Sequence, residues 1–308
     1  MAKQKNLKVL LFLESSREFG RQLLRGIVNY ASNQPNWVFV FETEWTKRML
    51  LKQIMNIDGI IAHIPTSSIM NIISKAKIPA VVATFSQKAP AFRCIIKADS
   101  KAIGKMAAEH FLTRGFTNFG YCGYGSVWYS KEREIGFIEA IAKSGFLEPQ
   151  ICNYRKRKGA IEELATIAKW LDLLQKPCGI FACNDDLAEK VLEACKIKNI
   201  KVPDEVSILG VDNDEFVCNL THPPLSSIAI NGELAGYEAA TMLEKMMLNP
   251  RAKVSNVTLL PTHVVVRQST DSLAIKDTAV SKSLQYIAQH CTEPITVSQV
   301  VYTALSSR

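Results

Sequence analysis

A chain of 308 residues, 47% hydrophobic and 21% charged, can bury a sizeable core and divide into two or three units, which excludes a disordered polymer. Its formal net charge of +8 admits an acidic partner, although the lysines are scattered over segments of helical periodicity, as on a solvated surface. The apolar run near the N-terminus covers only residues 9–13 before Glu14, too short for a membrane span or the apolar part of a signal peptide.

That run (KVLLFLE, 8–14) reads as a buried strand starting near residue 7. A helix follows through Leu23, Ile27 and Tyr30, then a strand (WVFVFE, 37–42), a helix near Leu50, a strand (DGIIAHI, 58–64), a short helix near Ile72 and a strand (AVVATF, 80–85). Asp99 and Ser100 cap a helix carrying Ile103, Met106, Ala107, His110 and Phe111, closed by Gly115. The pattern then restarts with NFGYCGY (118–124), a helix over 131–144 ended by Gly145, a strand near Ile151, a helix over 161–174 and a strand (GIFAC, 179–183). After another helix comes the strand VSILGV (206–211); beyond Pro223 and Pro224 follow SSIAI (226–230), a helix over 233–248, VTLLP and HVVVRQS. Apolar runs alternating with amphipathic segments predict an α/β protein with two doubly wound parallel-sheet lobes and a ligand cleft between them. The elements after 230 suit a chain that crosses back. The expected first lobe is 7–118 with 230–261, and the second is 119–229 with 262–270. Residues 271–279 read as a linker, and 280–308 as a short α-helical fragment with Leu284, Ile287 and Ala288 on one face, too small to bury a core alone.

Two acidic turns stand at carboxyl ends of apolar strands: Asn184-Asp185-Asp186 after GIFAC, and Asp212-Asn213 after VSILGV. In an open parallel sheet that edge is where ligands bind. Carboxylates there suit a polyhydroxylated neutral ligand, because they accept hydrogen bonds from neighbouring hydroxyls. The eight cysteines show no C-x-x-C and no regular spacing, and several fall inside strand or helix patterns, as reduced core thiols of a cytosolic protein would. The five histidines form no H-E-x-x-H and no Cys/His ligand spacing, so neither a metal nor a cofactor is expected. GYCGYGS (120–126) lacks the third glycine of a dinucleotide fingerprint, Trp128-Tyr129 standing in its place, and YRKRK (154–158) reads as a solvated basic loop.

Residues 7–270 resemble the effector domain of LacI-type repressors and type I periplasmic binding proteins, chiefly in ACNDDLA, VPDEVSILGVDN, THPPLSSI and LLPTHVVVRQST. Residues 280–308 resemble the opening of an AraC-type helix-turn-helix domain, in ITVSQVV followed by SSR. The order, sensor first and AraC-type domain last, is similar to that of bacterial xylose-responsive regulators, as are REFGRQLLRGI (17–27) and KEREIGF (131–137). An AraC-type domain runs to about a hundred residues, an ordinary domain size. The helix-turn-helix is therefore expected to be incomplete at Arg308, and specific DNA binding is expected only of a chain carrying the whole domain.

Arg133 is expected in the first turn of its helix, where a guanidinium can fork onto two sugar oxygens and pair with Asp185 or Asp212; a solvated helical arginine is the alternative. Of Asn184 and Asp185, one is expected to cap the helix and the other to bind. The first-lobe candidates are Ser15, Ser16 and Phe19 after the first strand, Trp45 after the second, His63 after the third, and Asp99. Trp45 could stack on a sugar face or simply pack. His63, alone in an apolar stretch, could equally be structural.

These readings together imply a cytoplasmic, non-enzymatic regulator of transcription. A small aldose, a pentose such as xylose, would close the two lobes around itself, and homodimerisation would pair two DNA-binding motifs on half-sites. Two rivals remain: a transport-type sugar receptor of the same fold, against which the missing signal peptide and the thiols argue, and a sugar-processing enzyme using Asp185, Asp212 and His63, for which no nucleophile-base spacing is present.

Overall fold

The structure is a computed structural model and describes residues 6–34, 36–41, 54–63, 67–83, 92–154, 160–272, 274 and 278–305. In chain order the elements are β1 (Leu7–Phe12), α1 (Glu18–Ala31), β2 (Trp37–Phe41), β3 (Gly59–His63), α2 (Ser67–Lys75), β4 (Ala80–Ala83), β5 (Cys94–Ala98) and α3 (Ser100–Leu112). Next come β6 (Asn118–Tyr124), α4 (Trp128–Lys143), β7 (Gln150–Tyr154), α5 (Ala160–Leu171), β8 (Cys178–Ala182), α6 (Asp185–Ile197), β9 (Val206–Val211), α7 (Glu215–Leu220) and β10 (Ser226–Ile230). The chain finishes with α8 (Gly232–Leu248), β11 (Val257–Leu259), β12 (Pro261–Val265), α9 (Thr278–Gln289) and α10 (Val297–Leu305).

The chain divides into two compact units, Met1–Asp99 with Ile230–Thr262 and Ser100–Ala229 with His263–Arg308. The first sheet runs β11-β5-β4-β3-β1-β2, and every neighbouring pair is parallel. Val9, Leu10, Ile60, Ile61, Val81 and Val82 are sealed from solvent, as expected of parallel strands covered on both faces. From β1 the chain goes to β2 on one side and to β3, β4 and β5 on the other, so the strand order reverses between β1 and β3. The second sheet, β12-β10-β9-β8-β6-β7, repeats the plan and reverses between β6 and β8. Its middle strands β8 and β9 are buried along their whole length.

Three local differences from the sequence reading have physical causes. The strand β5 escapes a search for apolar runs because Arg93 directly precedes it and Lys97 interrupts it; only Cys94, Ile96 and Ala98 face the core. Helix α4 opens at Trp128 rather than 131, since Lys131 already donates its amide to the Val127 carbonyl at 3.1 Å. Helix α3 packs on α4 and so counts with the second unit, whereas the sequence division carried the first lobe to 118. The predicted helix near Leu50 lies outside the described residues, as does the basic run beyond Tyr154.

Gly115 and Gly145 end α3 and α4 with φ of 80° and 82°, the left-handed conformation that costs glycine least. The return segment is tied in by its own polar residues. Ser269 Oγ donates to the Ile208 carbonyl at 2.6 Å and accepts the Ser226 amide at 2.8 Å. Helices α9 and α10 pack on each other, and α10 buries none of its residues. Seven of the eight cysteines are buried and none is paired; Cys291 is exposed.

Candidate functional site

In the second unit the reversal between β6 and β8 marks the edge where an open α/β sheet binds ligands. Arg133 reaches it from the second turn of α4, one turn later than expected. Its side chain is 1% exposed. Nη1 donates to the carbonyl of Cys183, the residue after β8, and Nη2 lies 3.8 Å from Asp212 Oδ1, beyond β9. The Tyr129 ring, one turn back on α4, sits 4.9 Å from Cζ. Nε has no hydrogen-bond partner among the described residues. Burying a guanidinium is costly unless charge and hydrogen bonds compensate it, and here a carboxylate, a carbonyl and a π-face do so. At 3.8 Å the Arg133–Asp212 pair is attractive but too long for a direct hydrogen bond, the separation at which a hydroxyl can bridge two groups.

Burial, then the neighbouring Cys183, raises the Tyr129 hydroxyl above its ordinary range, so it stays a neutral donor and acceptor. Burial likewise pushes the Cys183 thiol up to about 11 against the opposing charge of Arg133. That sulfur is an unreactive wall of the site rather than a nucleophile.

The turn carrying Asp212 is strained: Asp212 has φ 104° and Asn213 φ 50°. Non-glycine residues rarely hold such angles unless the surroundings over-determine them. The Asp212 amide donates to the Ile228 carbonyl at 3.0 Å, and the Asn213 amide to Ser227 Oγ at 3.0 Å. Arg267 Nη2 donates to Asn213 Oδ1 at 3.0 Å.

Asn184 spends its side-chain oxygen on the protein, and Asp185 both of its carboxylate oxygens. Asn184 is the N-cap of α6, accepting the Leu187 amide at 3.1 Å. Asp185 is 2% exposed. It accepts from Ser227 Oγ at 2.6 Å, from the Asp214 amide at 2.8 Å and from the Cys218 thiol at 3.6 Å.

In the first unit two of the candidates meet at the corresponding reversal. Phe19, in the first turn of α1, meets His63, the last residue of β3, edge to face at 5.2 Å between ring centres. His63 Nδ1 is 3.2 Å from the Ala83 carbonyl, and burial lowers its basicity, so the ring is neutral. Ser16 is exposed and donates its amide to Glu14 Oε1 at 2.8 Å. Asp99 follows β5 and donates its amide to the Leu259 carbonyl at 2.8 Å. Trp45 lies outside the described residues.

Residue-by-residue reading of the sequence overlooked Tyr129, Ser227 and Arg267. The only signal for Tyr129 was the aromatic pair interrupting the glycine fingerprint, and nothing in the linear order connects Ser227 or Arg267 to Asp212. Among the described residues, no group of three or more His, Cys, Asp or Glu could hold a metal ion, and no helix is long and apolar enough to cross a membrane.

Comparison with known proteins follows the same division. Residues 108–270 match the periplasmic binding protein-like domain, and residues 8–94 match the XylR N-terminal domain. The chain is 28% identical to a xylose operon regulatory protein of Haemophilus influenzae, over 98% of this chain and 80% of that one. It is 30% identical to the HTH-type transcriptional regulator DegA of Bacillus subtilis, over 88% of this chain and 82% of that one. Among solved structures, the xylose-binding transcription activator XylR superposes with a TM-score of 0.80 over 100% of this chain and 80% of that one, at 24% identity, a likeness of fold.

Proposed function

The chain belongs to the periplasmic binding protein-like family, and from that premise we propose that it is a sugar-responsive regulator of transcription whose effector is a small aldose, a pentose such as D-xylose. The observation that carries this reading is the buried Arg133 held 3.8 Å from Asp212 under the Tyr129 ring, at the reversal of a parallel sheet. A neutral polyol suits this arrangement. Its hydroxyls donate to the Asp212 carboxylate and accept from the guanidinium, while the half-apolar ring face lies against an aromatic side chain. A pentose hydroxyl bridging Arg133 and Asp212 would replace a long ion pair with two charge-assisted hydrogen bonds.

The relatives named above are regulators of transcription, which supports the regulatory half of the reading. Ser16, Phe19, His63, Asp99 and Trp45 are the sugar-binding candidates that the first unit offers. Sugar would favour one conformation of the protein and so control DNA binding by an AraC-type domain, acting as a homodimer in the cytoplasm without catalysis.

A thermal-shift screen against pentoses, hexoses and their acids tests it, since a ligand specific for the folded state raises the melting temperature by mass action. D-xylose is expected to give the largest shift. A flat response to every aldose would overturn the effector assignment.

A further inference from the structure

Both Asn184-Asp185 and Asp212-Asn213 look alike in sequence, as acidic turns on one sheet edge, yet their carboxylates are used differently. Side-chain exposure is 28% at Asp212, whereas residue exposure at Asp185 is 2%. Asp185 accepts from Ser227, Asp214 and Cys218, and two of these bonds lead to the 212–214 turn. The Asp214 amide donates to Asp185 Oδ2 at 2.8 Å. Ser227 Oγ donates to Oδ1 at 2.6 Å and at the same time accepts the Asn213 amide at 3.0 Å. A single hydroxyl therefore links the carboxylate to the left-handed residue that follows Asp212.

The chain also leaves room for this arrangement. A Cβ at Gly210 would lie 2.2 Å from Asp185 Oδ1, so only glycine at the penultimate position of β9 admits the carboxylate beneath the turn. Burial, and then the charge of Asp212, push the Asp185 carboxyl above its ordinary range, while three donors hold it against that rise. A buried acid so fully served by donors has its acceptor sites directed inward.

We propose that Asp185, with Ser227 as its relay, is a positioning residue: it holds the strained 212–214 turn so that Asp212 faces Arg133, and it does not itself contact the sugar. This rests on the reading of the site as a sugar site, and it removes Asp185 from the residues that touch the ligand. The strain at Asp212 and Asn213 is maintained from below by Asp185 and from the side by Arg267.

The test is calorimetry with D-xylose on Ser227→Ala and Asp185→Asn, with Ser207→Ala as the matched control. Ser207 is an equally buried serine on the adjacent strand, bonded to Ser272 and Pro203 and not to the turn. Ser227→Ala is expected to weaken D-xylose binding about tenfold or more, and Asp185→Asn at least as much. Ser207→Ala is expected to lower the melting temperature and leave the affinity within about twofold of wild type. Should Asp185→Asn fail to fold, Ser227→Ala decides. Wild-type affinity in a folded Ser227→Ala overturns the proposal, as does a sugar-bound structure with a sugar oxygen at hydrogen-bonding distance from Asp185. Should the wild-type protein bind no sugar, the effector reading falls, and a crystal structure of Ser227→Ala still decides the role of the relay. Asp212 leaving positive φ supports it; an unchanged turn overturns it.

Discussion

The ring of His110 meets the Thr270 hydroxyl through Nε2 at 3.0 Å, although 160 residues of chain separate them. Arg114 Nη1 donates to Nδ1 at 3.1 Å, which leaves Nε2 carrying the proton and donating to Thr270. Thr270 Oγ1 passes a hydrogen bond to Ser226 Oγ at 2.8 Å, and Ser226 Oγ passes one to the Arg267 carbonyl at 2.8 Å. Only the neutral imidazole fits this directed chain, and burial, then the charge of Arg114, hold its pKa down to about 3. In the unfolded chain a histidine titrates at about 6.5. Between the two values the unfolded state binds a proton that the folded state refuses, so stability present above about pH 6.5 is lost as pH falls towards 3. Urea denaturation at pH 7, 6, 5 and 4 is expected to show a declining midpoint, with a shallower decline in His110→Gln. Half-buried His63, whose basicity is also lowered, contributes in the same direction, so the slope should shrink rather than vanish.

Helices α3 and α4 touch backbone to backbone through reciprocal glycines. A Cβ on Gly104 would lie 2.1 Å from the Arg133 carbonyl, and one on Gly136 would lie 2.2 Å from the Lys101 carbonyl. Gly136→Val is expected to force the helices apart and destabilise the protein by about 1–3 kcal/mol or more, as overpacking does. Gly104→Ala should in addition weaken sugar binding, because the atom it strikes belongs to Arg133. Melting curves and D-xylose titrations on the two variants separate these effects.

Arg133→Ala and Asp212→Asn are each expected to reduce sugar binding below detection while far-ultraviolet circular dichroism stays that of the wild type. Each removes one side of the Arg133–Asp212 ion pair, and an unpaired buried group costs on the order of 1–3 kcal/mol, more when charged. Near wild-type affinity in both would sink the site assignment.

Asn184→Ala removes the side-chain acceptor at the start of α6. Loss of an N-cap costs about 1 kcal/mol, so a melting temperature lower by a few degrees is expected. Asn184→Asp keeps an acceptor for the Leu187 amide and should recover most of that loss.

How far the sequence could be read depended on whether the signal was local. The alternation of apolar runs gave away both sheets, and the strand-then-acid pattern led to Asp212 because its meaning lies in four or five consecutive residues. β5 stayed hidden because Arg93 directly precedes it and Lys97 breaks it, leaving an apolar run too short to compete with the solid runs around it. The roles of Asp185 and Asp212 were inseparable in sequence, since both close a buried strand. What distinguishes them is Ser227, 42 residues beyond Asp185, together with the missing Cβ of Gly210. Likewise Arg133 was legible as a residue but not its setting, because the helix begins with Trp128 and Tyr129, whose aromatic rings look more like loop anchors than a first turn.

The short stretch from Val257 to Val265 supplies β11 to one sheet and β12, one residue later, to the other. β11 covers the outer edge of β5, and β12 that of β10. During translation, therefore, neither sheet can be finished until this stretch leaves the ribosome, however early the rest of the first unit was made. A nascent chain arrested before 257 would display two open parallel edges at once, each a template for the wrong partner. Synthesis past that point closes both in a single step of nine residues, so the cell's exposure to a sticky intermediate is timed by one small segment.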